Sequence, residues 1–245
     1  MSDTKLNGRL CSAASFVRQG AVVADIGTDH AYLPIFLLKA GVAARAFALD
    51  INEGPLKKAD ENISAAGLSD KIECRLLDGA AGLFGLGITD YAICGMGGEL
   101  IADIIERAPH LKDEGVRLIL QPMSRQEHLR AYLSKSGFRI FGEAYSSDSG
   151  KDYVCFCCEY SGGGSELSDE ESYLPASGAS LYGREAMLRY FGAKLSALTK
   201  AARGKRLGGA EDVPEEKIAE RVESFISGIR EAGIPDIEAV QSCLN

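Results

Sequence analysis

Residues 22–34 read VVADIGTDHAYLP, and the fold turns on how this stretch is understood. Val22, Val23, Ala24 and Ile26 form a short apolar run bounded by Gly20 and Gly27, the pattern of a strand buried on both faces of a parallel sheet. Asp25 then sits at the carboxyl end of that strand, where open α/β sheets bind their ligands. Gly27 allows a tight turn and a close approach of backbone to a ligand, and the helix that follows from Tyr32 presents its N-terminus there. Read alone, the stretch is equally compatible with a strand-to-helix turn whose acids cap the helix.

The same motif repeats outward along the chain. Ala46–Leu49 reads as a second strand ending in Asp50, with Asn52 capping a helix from about Glu53 to Ala66. Ile72–Leu77 is a third strand running into Asp78, and Tyr91–Cys94 a fourth that opens into Gly95-Met96-Gly97-Gly98. A helix over Glu99–Arg107 and a fifth strand over Val116–Leu120 follow, the latter leading to Gln121 and Pro122. Ser124 and Glu127 have the spacing of a capping box before the next helix. FRIFGEAY and DYVCFCCEY then read as two strands paired in a hairpin. Five strand–helix steps and a hairpin describe an α/β fold, an open twisted sheet that is mostly parallel with an antiparallel hairpin near one edge. In that register Asp25, Asp50 and Asp78 converge on one crevice.

The chain of 245 residues suits one such domain of about 160 residues with an appendage. Residues 161–180, rich in Gly and Ser with an acidic middle, read as a linker, and residues 181–245 as two helices forming a hairpin with a coiled-coil-like seam. The net charge is -8, yet from Leu181 to Arg206 seven basic residues, Arg184, Arg189, Lys194, Lys200, Arg203, Lys205 and Arg206, meet the single acid Glu185 for a local charge of +6. That concentration suits phosphate backbones. No apolar run approaches the roughly 20 residues of a membrane span, and MSDTKLNGRL lacks the apolar core of a signal peptide, so the expected place is the cytoplasm with no membrane partner. Seven cysteines, odd in number, with Cys155, Cys157 and Cys158 inside the strand-like YVCFCCEY and no C-x-x-C pair of the thioredoxin or zinc type, point to a reducing compartment and to no metal site.

The loop GTDHAY disfavours a dinucleotide, because a pyrophosphate wants a G-x-G-x-x-G turn and Asp29 would repel it. A carboxylate there instead suits an amino group. S-adenosylmethionine meets the whole demand, since it carries an ammonium, a sulfonium, a ribose diol and an adenine amine but no phosphate.

At this point the chain resembles a known family. RLCSAASFVRQGAVVADIGTDHAYLPIFLLKAG, LDINEGPLKKADENI, LLDGAAGL, CGMGGELIADII and LILQPM together closely resemble the bacterial tRNA (adenine-22-N1)-methyltransferases, the TrmK family, over about the first 160 residues. The resemblance implies a class I, Rossmann-like methyltransferase sheet with a C-terminal helical coiled-coil hairpin, and transfer of the S-adenosylmethionine methyl group to N1 of adenosine 22 in tRNA. Carried over by motif, Arg9, Gly27, Asp29, His30, Asp50, Asn52, Asp78, Gly79, Gly95 and Gly97 line the cofactor site, with Asp25 and Ile51 on the same loops. Adenine N1 lies on the Watson–Crick edge, so the base must be splayed or flipped into the pocket. Cys94, Met96, Gly98, Gln121 and Pro122 are expected at the substrate mouth, the basic residues of the hairpin on tRNA phosphates, and Asp29 and His30 as the catalytic candidates. No oligomer is required. A small-molecule methyltransferase of the same fold and a non-catalytic RNA-binding module are the competing readings.

Overall fold

The computed structural model describes residues 6–232, 234 and 235. Strands β1 (Ala21–Ile26), β2 (Ala43–Asp50), β3 (Ile72–Leu76), β4 (Asp90–Gly97) and β5 (Arg117–Ser124) are parallel, and β6 (Phe138–Asp148), β7 (Lys151–Tyr160) and β8 (Ser180–Tyr182) complete one eight-stranded sheet in the order β3-β2-β1-β4-β5-β7-β6-β8. The antiparallel strand is β7, inserted between β5 and β6, which places β6 parallel to β5. Strand order reverses between β1 and β4, so the ligand crevice of such a sheet opens above Ile26 and Cys94.

The period-two alternation of the strands sorts their side chains onto two covered faces. Ala24, Ile26, Phe47 and Leu49 point into one core, packed by α4 (Gly98–Glu106), α5 (Gln126–Lys135), α7 (Arg184–Leu207) and α8 (Pro214–Glu231). Val23, Ala46 and Ala48 point into the other, packed by α1 (Gly8–Ala14), α2 (Tyr32–Lys39) and α3 (Glu53–Ala65). The cysteines of YVCFCCEY lie in these cores, where burial pushes the thiols of Cys155 and Cys158 far above their ordinary range.

Two expected caps take a different form. Ser124 is the last residue of β5, paired in register with Gly97, so the helix α5 is entered from Arg125 in the left-handed region with no side-chain cap. Asn52 stands at the start of α3 but turns its side chain back to Asp50. A true capping box forms instead between Ser168 and Glu171, before the short helix α6 (Asp169–Ser172), within the stretch expected to be a linker. That stretch is tied to the sheet. The Arg130 guanidinium donates to the Ser172 carbonyl, the Ala176 amide donates to Glu143, and β8 pairs with β6.

The helices α7 and α8 pack side by side, with Leu198 and Ala202 of one and Ile218 and Val222 of the other buried. They are anchored to the sheet by aromatic contacts, Tyr145 to Tyr190 at 5.3 Å and Tyr145 to Phe191 at 5.7 Å between ring centres. The last residues of the expected hairpin, including Cys243, lie outside the described residues. Among the described residues no helix is long and apolar enough to cross a membrane.

Candidate active site at the crevice between β1 and β4

The loop after β1 is held from below and strained from within. The amides of Gly27 and Thr28 both donate to the Leu49 carbonyl at 2.8 Å, which pins the turn to β2. Asp29 (φ 51°) and Ala31 (φ 57°) both take the left-handed conformation on either side of His30. Each costs about 1–2 kcal/mol in a residue other than glycine, a kind of strain that collects at functional sites. Asn62 of α3 fastens the loop by donating to the His30 carbonyl at 3.0 Å. The result projects the Asp29 carboxylate outward, with His30 Nε2 at 3.5 Å from it, while His30 Nδ1 is buried without a partner among the described residues.

Arg9, Asp25, Gly27, Thr28, Asp29, His30, Tyr32 and Cys94 line one cavity of about 200 Å3 at this point. Two hollows of about 610 and 580 Å3 lie elsewhere, one beneath residues 161–177 and one between β8 and α8, remote from the strand ends where the chemistry gathers. Asp25 is shut off from water, and its burial outweighs the Thr28 hydrogen bond and the nearby Arg9, so its pKa rises to about 6. Asp50 accepts from the Asn52 amide at 2.9 Å and from its side chain at 3.3 Å, both at Oδ1. Ile51 beside it is exposed.

The β4 side of the crevice is built by a single glutamine. Gln121 is fully buried, and its side-chain oxygen accepts from Arg9 Nη1 at 2.9 Å and from the Gly95 amide at 3.1 Å. Gly95 sits at φ 82° with the Arg9 guanidinium directly over it, so a side chain there has neither the backbone conformation nor the space. The Met96 methyl group occupies the place a Cβ on Gly27 would take. Gly97 pairs with Ser124 and Gly98 packs beneath the Arg125 backbone, which brings the β4 and β5 ends together. Burial drives the Cys94 thiol well above its ordinary range, so at neutral pH it is not a nucleophile.

Asp78 departs from the expected convergence. It lies two residues beyond the end of β3 and forms a two-pronged pair with Arg107, just past α4, at 2.9 and 3.3 Å. The pair holds the carboxyl below its usual range and turns Asp78, with Gly79 beside Ile104, toward the helix. The basic segment departs too. Lys205 pairs with Glu215 at 2.5 Å and Arg206 with Glu216 at 2.6 Å, across the hairpin turn. Arg184 caps the end of α8 through the Arg230 carbonyl at 2.6 Å, Arg189 bonds Asp152 and Ser147, and Lys194 donates to Gln126 at 2.9 Å. Among the described residues only Lys200 and Arg203 of the seven form no ion pair or hydrogen bond from the side chain. Between Arg184 and Glu231 ten basic residues meet eight acids, for a net charge of +2.

The residues that meet at the crevice fit a cationic, phosphate-free ligand with hydroxyl groups. Asp25 and Asp29 line the cavity and Asp50 stands at the end of the neighbouring strand, so a phosphate there would meet charge of its own sign. Thr28 and Tyr32, which line the cavity, were not singled out from the sequence; Thr28 lay within the quoted loop as a hydroxyl three residues beyond a strand-end acid. The glutamine in the otherwise apolar LILQPM was the visible sign of the Gly95 clamp.

Residues 6–156 match the family described as Methyltransferase domain. The tRNA (adenine(22)-N(1))-methyltransferase of Bacillus subtilis is 36% identical over 159 residues, covering 65% of this chain and 67% of that protein. A Streptococcus pneumoniae protein crystallised in complex with S-adenosyl-L-methionine superposes with a TM-score of 0.73 at 32% identity, over 89% of this chain and 98% of that one. The crystal structure of the B. subtilis m1A22 tRNA methyltransferase TrmK superposes with a TM-score of 0.69 at 27% identity, over 94% and 99% of the two chains. With the crevice, the strained acidic loop and the glycine-rich β4 end carried on the fold these proteins share, the chain belongs to the TrmK family of tRNA (adenine(22)-N(1))-methyltransferases.

Proposed function

We propose that this protein transfers the methyl group of S-adenosylmethionine to N1 of adenosine 22 in tRNA, acting in the cytoplasm, with residues 1–160 as the catalytic unit and the C-terminal helices supplying reach to the substrate. The observation that carries the reading is the crevice itself, a carboxylate-lined turn at the β1 end facing a glycine-rich β4 end. Its fit to the cofactor rests on charge and hydrogen bonding: Asp29 answers an ammonium and Asp50 a ribose diol. When bound, S-adenosylmethionine supplies an electrophilic methyl carbon on a sulfonium that leaves as a neutral thioether.

The chain's own residues align, shield and neutralise. Adenine N1 brings its own lone pair, so no base is required to begin, and most of the rate comes from holding the two reacting atoms in line. The Gly95–Gly98 segment offers backbone rather than side chains to the incoming ring, which suits a ring nitrogen as nucleophile. Asp29, exposed at the rim, balances the positive charge that develops on the methylated ring, and His30 Nδ1 holds an unused hydrogen-bonding position beside it. Lys200 and Arg203 are the basic residues of α7 left available to phosphates.

Incubation of the purified protein with labelled S-adenosylmethionine and unmodified bacterial tRNA transcripts, followed by nucleoside analysis, tests this directly. 1-Methyladenosine is expected, and is lost when adenosine 22 is replaced. Cofactor binding without any methylated tRNA nucleoside would move the reading to a small-molecule substrate.

A further inference from the structure

A line of side-chain hydrogen bonds joins the helical hairpin to the candidate active site. Lys194 of α7 donates from Nζ to Gln126 Oε1 at 2.9 Å; Gln126 Nε2 donates to the Pro122 carbonyl at 3.4 Å; Gln121 Nε2 donates to the same carbonyl at 3.2 Å; and Gln121 Oε1 receives Arg9 and the Gly95 amide. Gln121 and Gln126, at the middle of this line, are both buried.

The order of donors and acceptors leaves each amide one orientation. An ammonium only donates, so Gln126 must turn its oxygen to Lys194 and therefore its NH2 to Pro122. A backbone amide and a guanidinium only donate, so Gln121 must turn its oxygen to Gly95 and Arg9 and its NH2 to the same Pro122 carbonyl. Pro122 stands opposite Met96 in the β4–β5 register, so a shift of this peptide reaches the Gly95–Gly97 turn along two routes. Lys194 is an expensive way to fill its place. It is largely desolvated between the rings of Tyr173 and Tyr190, with Arg130 nearby and the carboxylate of Glu127 at 3.7 Å.

Building on the proposed tRNA methylation, the geometry points to Lys194 and Gln126 as positioning residues that couple the seating of the C-terminal hairpin to the shape of the Gly95 turn. The hairpin then does more than hold substrate: its placement on α5 sets the surface against which the adenine ring is aligned. Lys194, expected from the sequence among the phosphate contacts, is assigned to this internal connection.

The test uses the full chain and the variants Lys194→Met, Lys194→Arg, Gln126→Leu and Gln126→Glu. Gln126→Glu keeps the acceptor for Lys194 but loses the donor to Pro122, so it separates the relay from simple packing if Gln126→Leu fails to fold. Lys194→Met, Gln126→Leu and Gln126→Glu are each expected to lower kcat about tenfold with the KM for tRNA nearly unchanged, the signature of misplaced reacting atoms. The double variant Lys194→Met/Gln126→Leu is expected to be no worse than either single change, and Lys194→Arg to recover most of the loss. Amide hydrogen exchange at Gly95 is expected to quicken in all three impaired variants. A raised KM with kcat intact in Lys194→Met, together with unchanged Gly95 exchange in Gln126→Glu, would overturn the relay and return Lys194 to a phosphate contact. If the unaltered protein methylates no tRNA, the proposed function fails on its own, and the exchange measurement still decides the relay.

Discussion

The Thr28 hydroxyl donates to the Asp25 carboxylate at 2.6 Å, inside a turn where both residues are buried. One short hydrogen bond does not replace the hydration that a carboxylate gives up, and the imbalance raises the Asp25 pKa from 3.8 to about 6. The first strand thus ends in an acid held at a cost to stability, beside a cavity whose proposed ligand is cationic.

That cost has a pH window. Because the folded pKa lies above the unfolded one, folding takes up a proton between pH 3.8 and about 6, and the stability this confers is lost as pH rises through that range. Asp25→Asn is expected to stabilise the protein at pH 8 by up to about 3 kcal/mol, since a tenfold change in proton affinity is worth about 1.4 kcal/mol, with the difference from the unaltered protein vanishing below pH 4. S-Adenosylmethionine affinity moves the other way, weaker in the variant and weaker in the parent below pH 6. Urea denaturation and calorimetric titration across pH 4–8 check both signs.

Gly27→Ala is expected to cost about 1–2 kcal/mol for the left-handed backbone alone and to weaken cofactor binding by about tenfold or more, since the new methyl group meets Met96. Adding Met96→Ala relieves the collision but not the backbone. Recovery of binding without recovery of stability in the double variant separates the two contributions.

Arg130 and Glu143 pair at 2.6 Å with both side chains essentially inaccessible to water. Arg130→Met leaves Glu143 charged and buried with, among the described residues, only Tyr145 and the Ala176 amide bonded to it, and is expected to cost about 3–5 kcal/mol by chemical denaturation. Arg130→Met/Glu143→Leu is expected to recover much of it.

On the proposed reading, Lys200→Gln/Arg203→Gln raises the KM for tRNA several-fold, leaves kcat alone, and lowers the slope of log affinity against log salt by about 2. Lys205→Gln/Arg206→Gln is expected to leave that slope nearly unchanged, because those charges already face Glu215 and Glu216. Filter binding across a salt series distinguishes the pairs.

The strand ends were legible because they rest on local facts: a two-sided apolar run, a glycine and an acid within six residues define the β1 turn wherever the chain goes next. What could not be read is who answers a charge from afar. Asp78 carries the same strand-end signal as Asp25, yet its environment is set by Arg107, 29 residues later at the end of α4. Lys205 and Arg206 look like a phosphate surface until the chain reverses and brings Glu215 and Glu216 alongside. Ser124 has a capping spacing, but pairing with Gly97 draws it into β5 first. Gln121 shows the opposite case: one polar residue in an apolar strand flagged a buried bond, though not that its oxygen serves both Arg9 and Gly95.

The three-residue strand β8 has a consequence for how the molecule comes apart. It covers Gly142–Ala144 on the outer side of β6, and the residues just before it satisfy Arg130 and Glu143. A chain ending at residue 160 would bare a row of unpaired backbone groups beside Tyr145 and Phe156, an adhesive margin that invites self-association. The sheet and its helical appendage are therefore expected to melt together, in a single calorimetric transition.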